Sequence, residues 1–365
     1  MTDSKVFFNY ATVSPLSEAA YVAGKTFLEE FYQTGPPEVL YKYDPYAEAL
    51  AAEAAQLLNC LPSEITTIKN TTEGINIAAE SLPLEAGDEI LVQSNEYPGN
   101  LLPWVKKRLD GLTVTVVEAD TNQASFAALL EAIGPQTKAI SISSGQYYDG
   151  YMANLVNLSQ ICRDKGIFLV IDAVQTVGIR ELDLKKITAD FLVCGGQKFL
   201  QAGVGIGFMY VNQDCLPKLK TTRVGIRSMQ NFDNSGFRLK NTADRFQDGT
   251  QNLLGIVALQ AALKAINQIG IETIATNNRR LLEDLKGVLK EYDLPFIDHG
   301  ANQSNIIALV VNDPVGLSDY LKSRSVYIKV IKDVARVSFA HSLRIEDAQT
   351  LAKFTREWLD RSHHA

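Results

Sequence analysis

The chain has 365 residues, 46% hydrophobic and 21% charged, the make-up of a folded globular protein with room for two or three domains. Its net charge of −7 supplies no basic field for a nucleic-acid backbone, so a small molecule is the expected partner. The start of the chain lacks a basic patch followed by a long apolar run, and no apolar run reaches the roughly 20 residues of a membrane-spanning helix. A cytoplasmic protein is therefore expected. The four cysteines, Cys60, Cys162, Cys194 and Cys215, form no CxxC pair. Two of the four histidines, His363 and His364, fall in a tail expected to fray. A metal site or a disulfide scaffold has little raw material.

In chain order, residues 1–40, with Gly35-Pro36-Pro37, read as an N-terminal arm and helix contributing to a small domain. From about residue 60 to 212, short β-branched runs alternate with amphipathic stretches, the rhythm of a mostly parallel sheet covered by helices. Strands are expected near Ile65–Ile68, Glu89–Gln93, Thr113–Glu118, Lys138–Ser143, Ile167–Asp172, Asp190–Cys194 and Val204–Val211. Helices are expected near Leu101–Leu109, Ser125–Ile133 and Leu155–Lys165. Beyond Asn252 come two long amphipathic helices broken near Gly270. Smaller strands follow at Ser304–Val310, Val326–Ile331 and Val334–Phe339, with helices near Val315–Ser323 and Ile345–Arg361. The expected division is a large domain over 41–255 and a small C-terminal α+β domain over 256–365.

Four features converge on a pyridoxal 5′-phosphate (PLP) site, which requires an imine-forming lysine, a carboxylate for the ring nitrogen, an anion cup and a flat group over the ring. Asp172 closes the apolar run Ile167-Phe-Leu-Val-Ile-Asp, at the strand end where open α/β sheets bind ligands. Lys198 ends the next strand segment, Phe191-Leu-Val-Cys-Gly-Gly-Gln-Lys, as the Schiff-base lysine. Desolvation there lowers its pKa toward that of a nucleophile and base. Asn70-Thr-Thr-Glu-Gly follows a strand and opens a helix, so Thr71 and Thr72 are expected phosphate ligands. Asn95-Glu-Tyr-Pro-Gly places Tyr97 where it could stack on a ring. Arg336 sits inside an apolar strand and needs an anion, either a substrate carboxylate or a neighbour such as Asp333.

In this order, these pieces resemble the class V aminotransferases of the fold-type I PLP enzymes, a family that includes cysteine desulfurases, C–S lyases and isopenicillin N epimerase-like proteins. The matching segments are Asn9-Tyr-Ala-Thr, Thr72-Glu, Glu96-Tyr97, Asp172-Ala-Val-Gln175, Gln197-Lys198 with Gly203-Val-Gly-Ile-Gly, Asp248-Gly-Thr250 and Arg336-Val-Ser. The resemblance implies that Asp172 pairs with the ring nitrogen, Gln175 approaches the ring hydroxyl and Gln197 flanks the cofactor beside Lys198. It also implies that Thr72 and Thr250 contact phosphate, and that Arg336, with Asn9 beside it, binds the substrate carboxylate. Thr250 would do so across the interface of a homodimer.

Departures from the family pattern bear on the reaction. Desulfurases carry a nucleophilic cysteine in the C-terminal part, and none follows Cys215 here. Glutamine before the lysine resembles the transaminating branches, so the expected reaction is amino-group transfer on a small α-amino acid. The alternatives are β-elimination by a cysteine or cystine C–S lyase, or a desulfurase-like reaction, and epimerisation. A non-catalytic PLP-binding relative is the alternative of another class. Whether Tyr147, Tyr148 or Arg227 lines the pocket is left open by the sequence.

Overall fold

Between Ile65 and Val211, runs of β-branched and aromatic residues are buried on both faces, as a sheet covered by helices on each side requires. In the computed structural model, which describes residues 5–43, 45–221, 223–233 and 236–362, they form β1 (Ile65–Ile68), β2 (Glu89–Gln93), β3 (Thr113–Val117), β4 (Thr137–Ser143), β5 (Phe168–Asp172), β6 (Phe191–Gly195) and β7 (Gly207–Val211). His363 and His364 lie outside the described residues. The order across the seven-stranded sheet is β1-β7-β6-β5-β4-β2-β3. All neighbours are parallel except β7, which runs antiparallel to both β1 and β6.

Alternate side chains of each strand enter different cores. Leu169, Ile171 and Leu192 pack on one face with the helices Tyr46–Leu58 and Leu253–Ile269. Val170, Phe191 and Val193 pack on the other with Ile75 and Ala78 of the helix Thr71–Ser81. This period of two is what a fully covered sheet demands. No single described helix is long and apolar enough to cross a membrane.

A second, four-stranded sheet is antiparallel throughout: β8 (Phe296–Ile297), β9 (Ile306–Val310), β10 (Lys329–Ile331) and β11 (Val334–Ser338), in the order β8-β9-β11-β10. Its core includes residues of the helices Ile271–Glu291, Pro314–Lys322 and Ile345–Ser362. The arm joins the two sheets. Val6–Phe7 pairs in parallel with Val326–Tyr327, Ser338 donates its N–H to the Phe8 carbonyl, and Ser14 and Ser17 donate theirs to the carbonyls of Gln197 and Gln201. The segment between them thus crosses the loop that carries Lys198.

Two expectations shift. The strand expected from Val204 begins only at Gly207, because Gly203 and Gly205 take φ of 89° and 77°, outside the extended region. The strand expected over Val326–Ile331 is split into Val326–Tyr327, which pairs with the arm, and β10. The sequence reading also gives no hint of the exposed hairpin Met229–Asp233 with Gly236–Leu239.

Candidate active site

One cavity of about 450 Å³ opens at the carboxyl ends of β5 and β6, and it gathers most of the residues singled out above. Asp172, the last residue of β5, lies 3% exposed in its wall. Its Oδ1 accepts the Val174 N–H at 3.0 Å. Burial pushes the carboxyl up from its ordinary value, against the pull of Lys198 and of that N–H. Lys198, beyond the end of β6, is 9% exposed. Burial holds its ammonium down at about 8, with Asp172 pulling the other way and Arg336 adding to the depression. The Lys198 Nζ lies 5.6 Å from the centre of the Tyr97 ring. Tyr97 in turn meets Tyr147 edge to face, with centroids 5.4 Å apart.

Asn70, Thr71 and Thr72 line the same cavity where the helix Thr71–Ser81 begins. The helix starts here because the Asn70 side chain accepts the Glu73 N–H at 2.9 Å. Thr71 Oγ1 accepts the Gly195 N–H at 3.1 Å, tying this helix start to the end of β6. Gly99 lines the cavity opposite, where a Cβ would fall 2.5 Å from Thr72 Oγ1. Gln175 donates to the Ala11 carbonyl at 3.2 Å, while its buried Oε1 has no partner.

Arg336 enters from β11. It is 2% exposed, and its Nη1 donates to the Tyr147 carbonyl at 2.8 Å. Its Nη2 donates to Asn9 Oδ1 at 3.3 Å and to Thr12 Oγ1, and its Nε has no partner. No carboxylate among the described residues pairs with it. Asp333, weighed above as its counter-ion, accepts from the Tyr148 hydroxyl at 2.6 Å instead. Burial lowers the guanidinium to about 10.

Of the remaining expected residues, Gln197 and Tyr147 line the cavity. Asn9 reaches it through Arg336, and Tyr148 points to Asp333. Thr250 is exposed and lines a separate cleft with Glu73, Arg223 and Asp248. Arg227 lines another cleft, with Thr66 and Asp244.

Sequence reasoning gave no role to a buried polar network behind Tyr97. Glu96, 3% exposed, accepts from the Ser143 N–H at 2.7 Å, from the Ser143 hydroxyl, from Asn100 at 3.0 Å and from Gln146 at 3.2 Å. The i,i+4 spacing of Glu96 and Asn100 beside the alternating serines of Ser141-Ile-Ser143 was the available signal. Lys329 and Ile331, expected only as part of a strand, also line the cavity.

The residues present fit PLP. Asp172 is a buried carboxylate with one backbone partner, suited to a protonated ring nitrogen. Gln175 offers an unpartnered oxygen, and Thr71 and Thr72 stand at a helix start that favours a phosphate. Lys198 lies in the same wall. Bound there, PLP would act as an electron sink for charge developing at the Cα of an amino acid.

This sheet order and this cavity define a fold-type I PLP protein. The sequence profile of the aminotransferase class-V family matches residues 41–350, and the chain belongs to that family, whose cofactor is PLP. It is 30% identical over 242 residues to a probable cysteine desulfurase of Methanothermobacter thermautotrophicus, covering 66% of this chain and 60% of the relative. It is 25% identical over 359 residues to an uncharacterized aminotransferase of Schizosaccharomyces pombe, covering 95% and 90%. Matches to probable desulfurases such as the first span only about 60% of those relatives' length. Among solved structures, the cystine C–S lyase C-DES in complex with its product cysteine persulfide shares the fold, with a TM-score of 0.89, 22% identity, and 97% and 98% of the two chains covered.

Proposed function

We propose that the protein is a PLP-dependent C–S lyase, cleaving the Cβ–S bond of a sulfur-containing α-amino acid such as cystine or cysteine. The reading replaces amino transfer, the sequence-based expectation, for two reasons. Curated relatives at about 30% identity are named probable cysteine desulfurases, which supports a sulfur substrate. The observation that carries the rest is that none of the four cysteines lines the cavity. Burial raises all four thiols above their ordinary value, Cys60, Cys162 and Cys215 to about 12, so none is poised as a thiolate. Between β10 and β11 only Lys332 and Asp333 intervene, too short a turn to bring a nucleophile to the site. Sulfur would then leave by elimination rather than by transfer to an enzyme cysteine.

In this reading Arg336 binds the α-carboxylate and Asp172 holds a proton on the ring nitrogen. Thr71 and Thr72 hold the phosphate, while Tyr97, Gln175 and Gln197 orient the ring. The Cα proton passes to Lys198 Nζ. The Cβ–S bond breaks with its electron pair on sulfur, and water converts the three-carbon remainder to pyruvate and ammonia. From a disulfide substrate the leaving sulfur departs as a persulfide. The working unit is a cytoplasmic homodimer, with Thr250 serving the partner's phosphate; its exposure away from this chain's own cavity and the free thiols support that reading.

The test is product analysis of PLP-loaded protein given L-cystine, L-cysteine, or L-alanine with a ketoacid. Pyruvate and ammonia in equal amounts from a sulfur substrate, with the cofactor spectrum retained, is the expected result. Bleaching by an amino acid that a ketoacid reverses would make it an aminotransferase.

A further inference from the structure

Lys329 and Arg336 are direct cross-strand partners of β10 and β11. Such pairs lie on one face of a sheet with Cβ atoms roughly 4.5–5.5 Å apart, and like charges placed so are destabilising. Neither residue has an ion pair among the described residues, and the nearby carboxylate of Asp333 is held by Tyr148. Among the residues lining the cavity, three cations, Lys198, Lys329 and Arg336, face one acid, Asp172. Arg336 also keeps its buried Nε unpartnered. The two cations differ in depth: Arg336 is buried, whereas Lys329 is exposed at the rim. Ile331, two residues from Lys329 and so on the same face of β10, adds an apolar wall.

We infer that Lys329 and Arg336 form a two-point anion site, so that the preferred substrate carries a second anionic group on the sulfur side of the bond that breaks. The inference rests on the C–S lyase reading of this cavity. Arg336, deep and beside Lys198, takes the α-carboxylate. Ile331 flanks the sulfur-bearing chain, and Lys329 takes the distal anion. The substrate class is then an amino acid whose leaving group bears its own carboxylate, as a disulfide of two amino acids does, ahead of cysteine itself.

The test is spectral titration of the PLP-loaded protein with S-carboxymethyl-L-cysteine and its near-isosteric neutral amide, S-carbamoylmethyl-L-cysteine. Binding is read from the cofactor absorbance, so the result does not depend on turnover. The acid should bind at least about tenfold more tightly than the amide, as expected when a charge-assisted hydrogen bond is lost. Lys329→Met should bring that ratio close to one, and Lys332→Met, at the neighbouring turn, should leave it as it was. A wild-type ratio near one, a ratio that survives Lys329→Met, or no spectral response to either compound overturns the inference. The lyase reading fails separately, if the preference for the acid holds but no sulfur amino acid yields pyruvate.

Discussion

Asp172 and Lys198 are both buried in one cavity wall, and each shifts the other's titration: Asp172 raises the Lys198 ammonium, and Lys198 lowers the Asp172 carboxyl. Burial outweighs that attraction for both, leaving Lys198 at about 8. Asp172 ends β5 in register with Val193 of β6, and Lys198 lies just beyond the end of β6. The sheet fixes Asp172, while Lys198 sits in a loop that the arm pins, with the Ser14 and Ser17 N–H groups donating to the carbonyls of Gln197 and Gln201.

The first expectation concerns pH. Only the neutral amine of Lys198 attacks a carbonyl, so the rate at which apo-protein captures PLP covalently should rise with pH and level off above about 8. An ordinary lysine would continue rising toward its unperturbed value. Asp172→Asn removes the interaction that raises the Lys198 pKa, so the bend should move to lower pH. Stopped-flow absorbance across the range checks both, and a rise that continues well past pH 9 in the wild type would contradict the burial argument.

If Arg336 binds the substrate carboxylate as proposed, Arg336→Ala removes charge-assisted hydrogen bonds worth about 1.5–3 kcal/mol. The apparent KM for amino acids should rise about 10- to 100-fold, with a smaller effect on kcat. Arg336→Lys should recover only part of this, because a lysine lacks the planar fork. Steady-state kinetics decides; an unchanged KM would mean that another cation binds the carboxylate.

Glu96→Ala should destabilise the protein by about 2–4 kcal/mol, because the Ser143 N–H, Asn100 and Gln146 would each lose a buried acceptor. Glu96→Gln keeps one acceptor oxygen and should cost less. Urea denaturation of the three proteins gives the comparison. Equal midpoints would show that the network carries no net stability.

Gly150 has φ of 81°, and a Cβ on it would fall 2.3 Å from the Ile306 carbonyl oxygen. Gly150→Ala should therefore cost about 2–4 kcal/mol, from the left-handed backbone and the steric overlap together. The position lies where the turn after β4 meets β9, so limited proteolysis should also speed up there. A variant that melts with the wild type would place this junction elsewhere.

The large sheet could be read in the sequence because its strands are local, apolar and closed by Gly, Asn or Asp. Asp172 and Lys198 stood out because each ends such a run. The helix opening at Asn70-Thr-Thr-Glu-Gly was legible for the same reason, since the cap that starts it joins Asn70 and Glu73, three residues apart. What escaped notice depends on distance along the chain. Glu96 meets Ser143 across 47 residues, and the arm strand Val6–Phe7 finds Val326–Tyr327. Lys329 gains meaning only from its register with Arg336. The start of β7 was misplaced because two glycines with positive φ sit inside an otherwise strand-like run.

The most direct test of the central claim is to load the protein with PLP, record its absorption spectrum, reduce it with borohydride and map the labelled peptide by mass spectrometry. A visible band that borohydride abolishes, with the phosphopyridoxyl mass on Lys198 and no such band in Lys198→Ala, is the expected result. A protein that stays colourless with added PLP, or a label on a different lysine, would contradict the account.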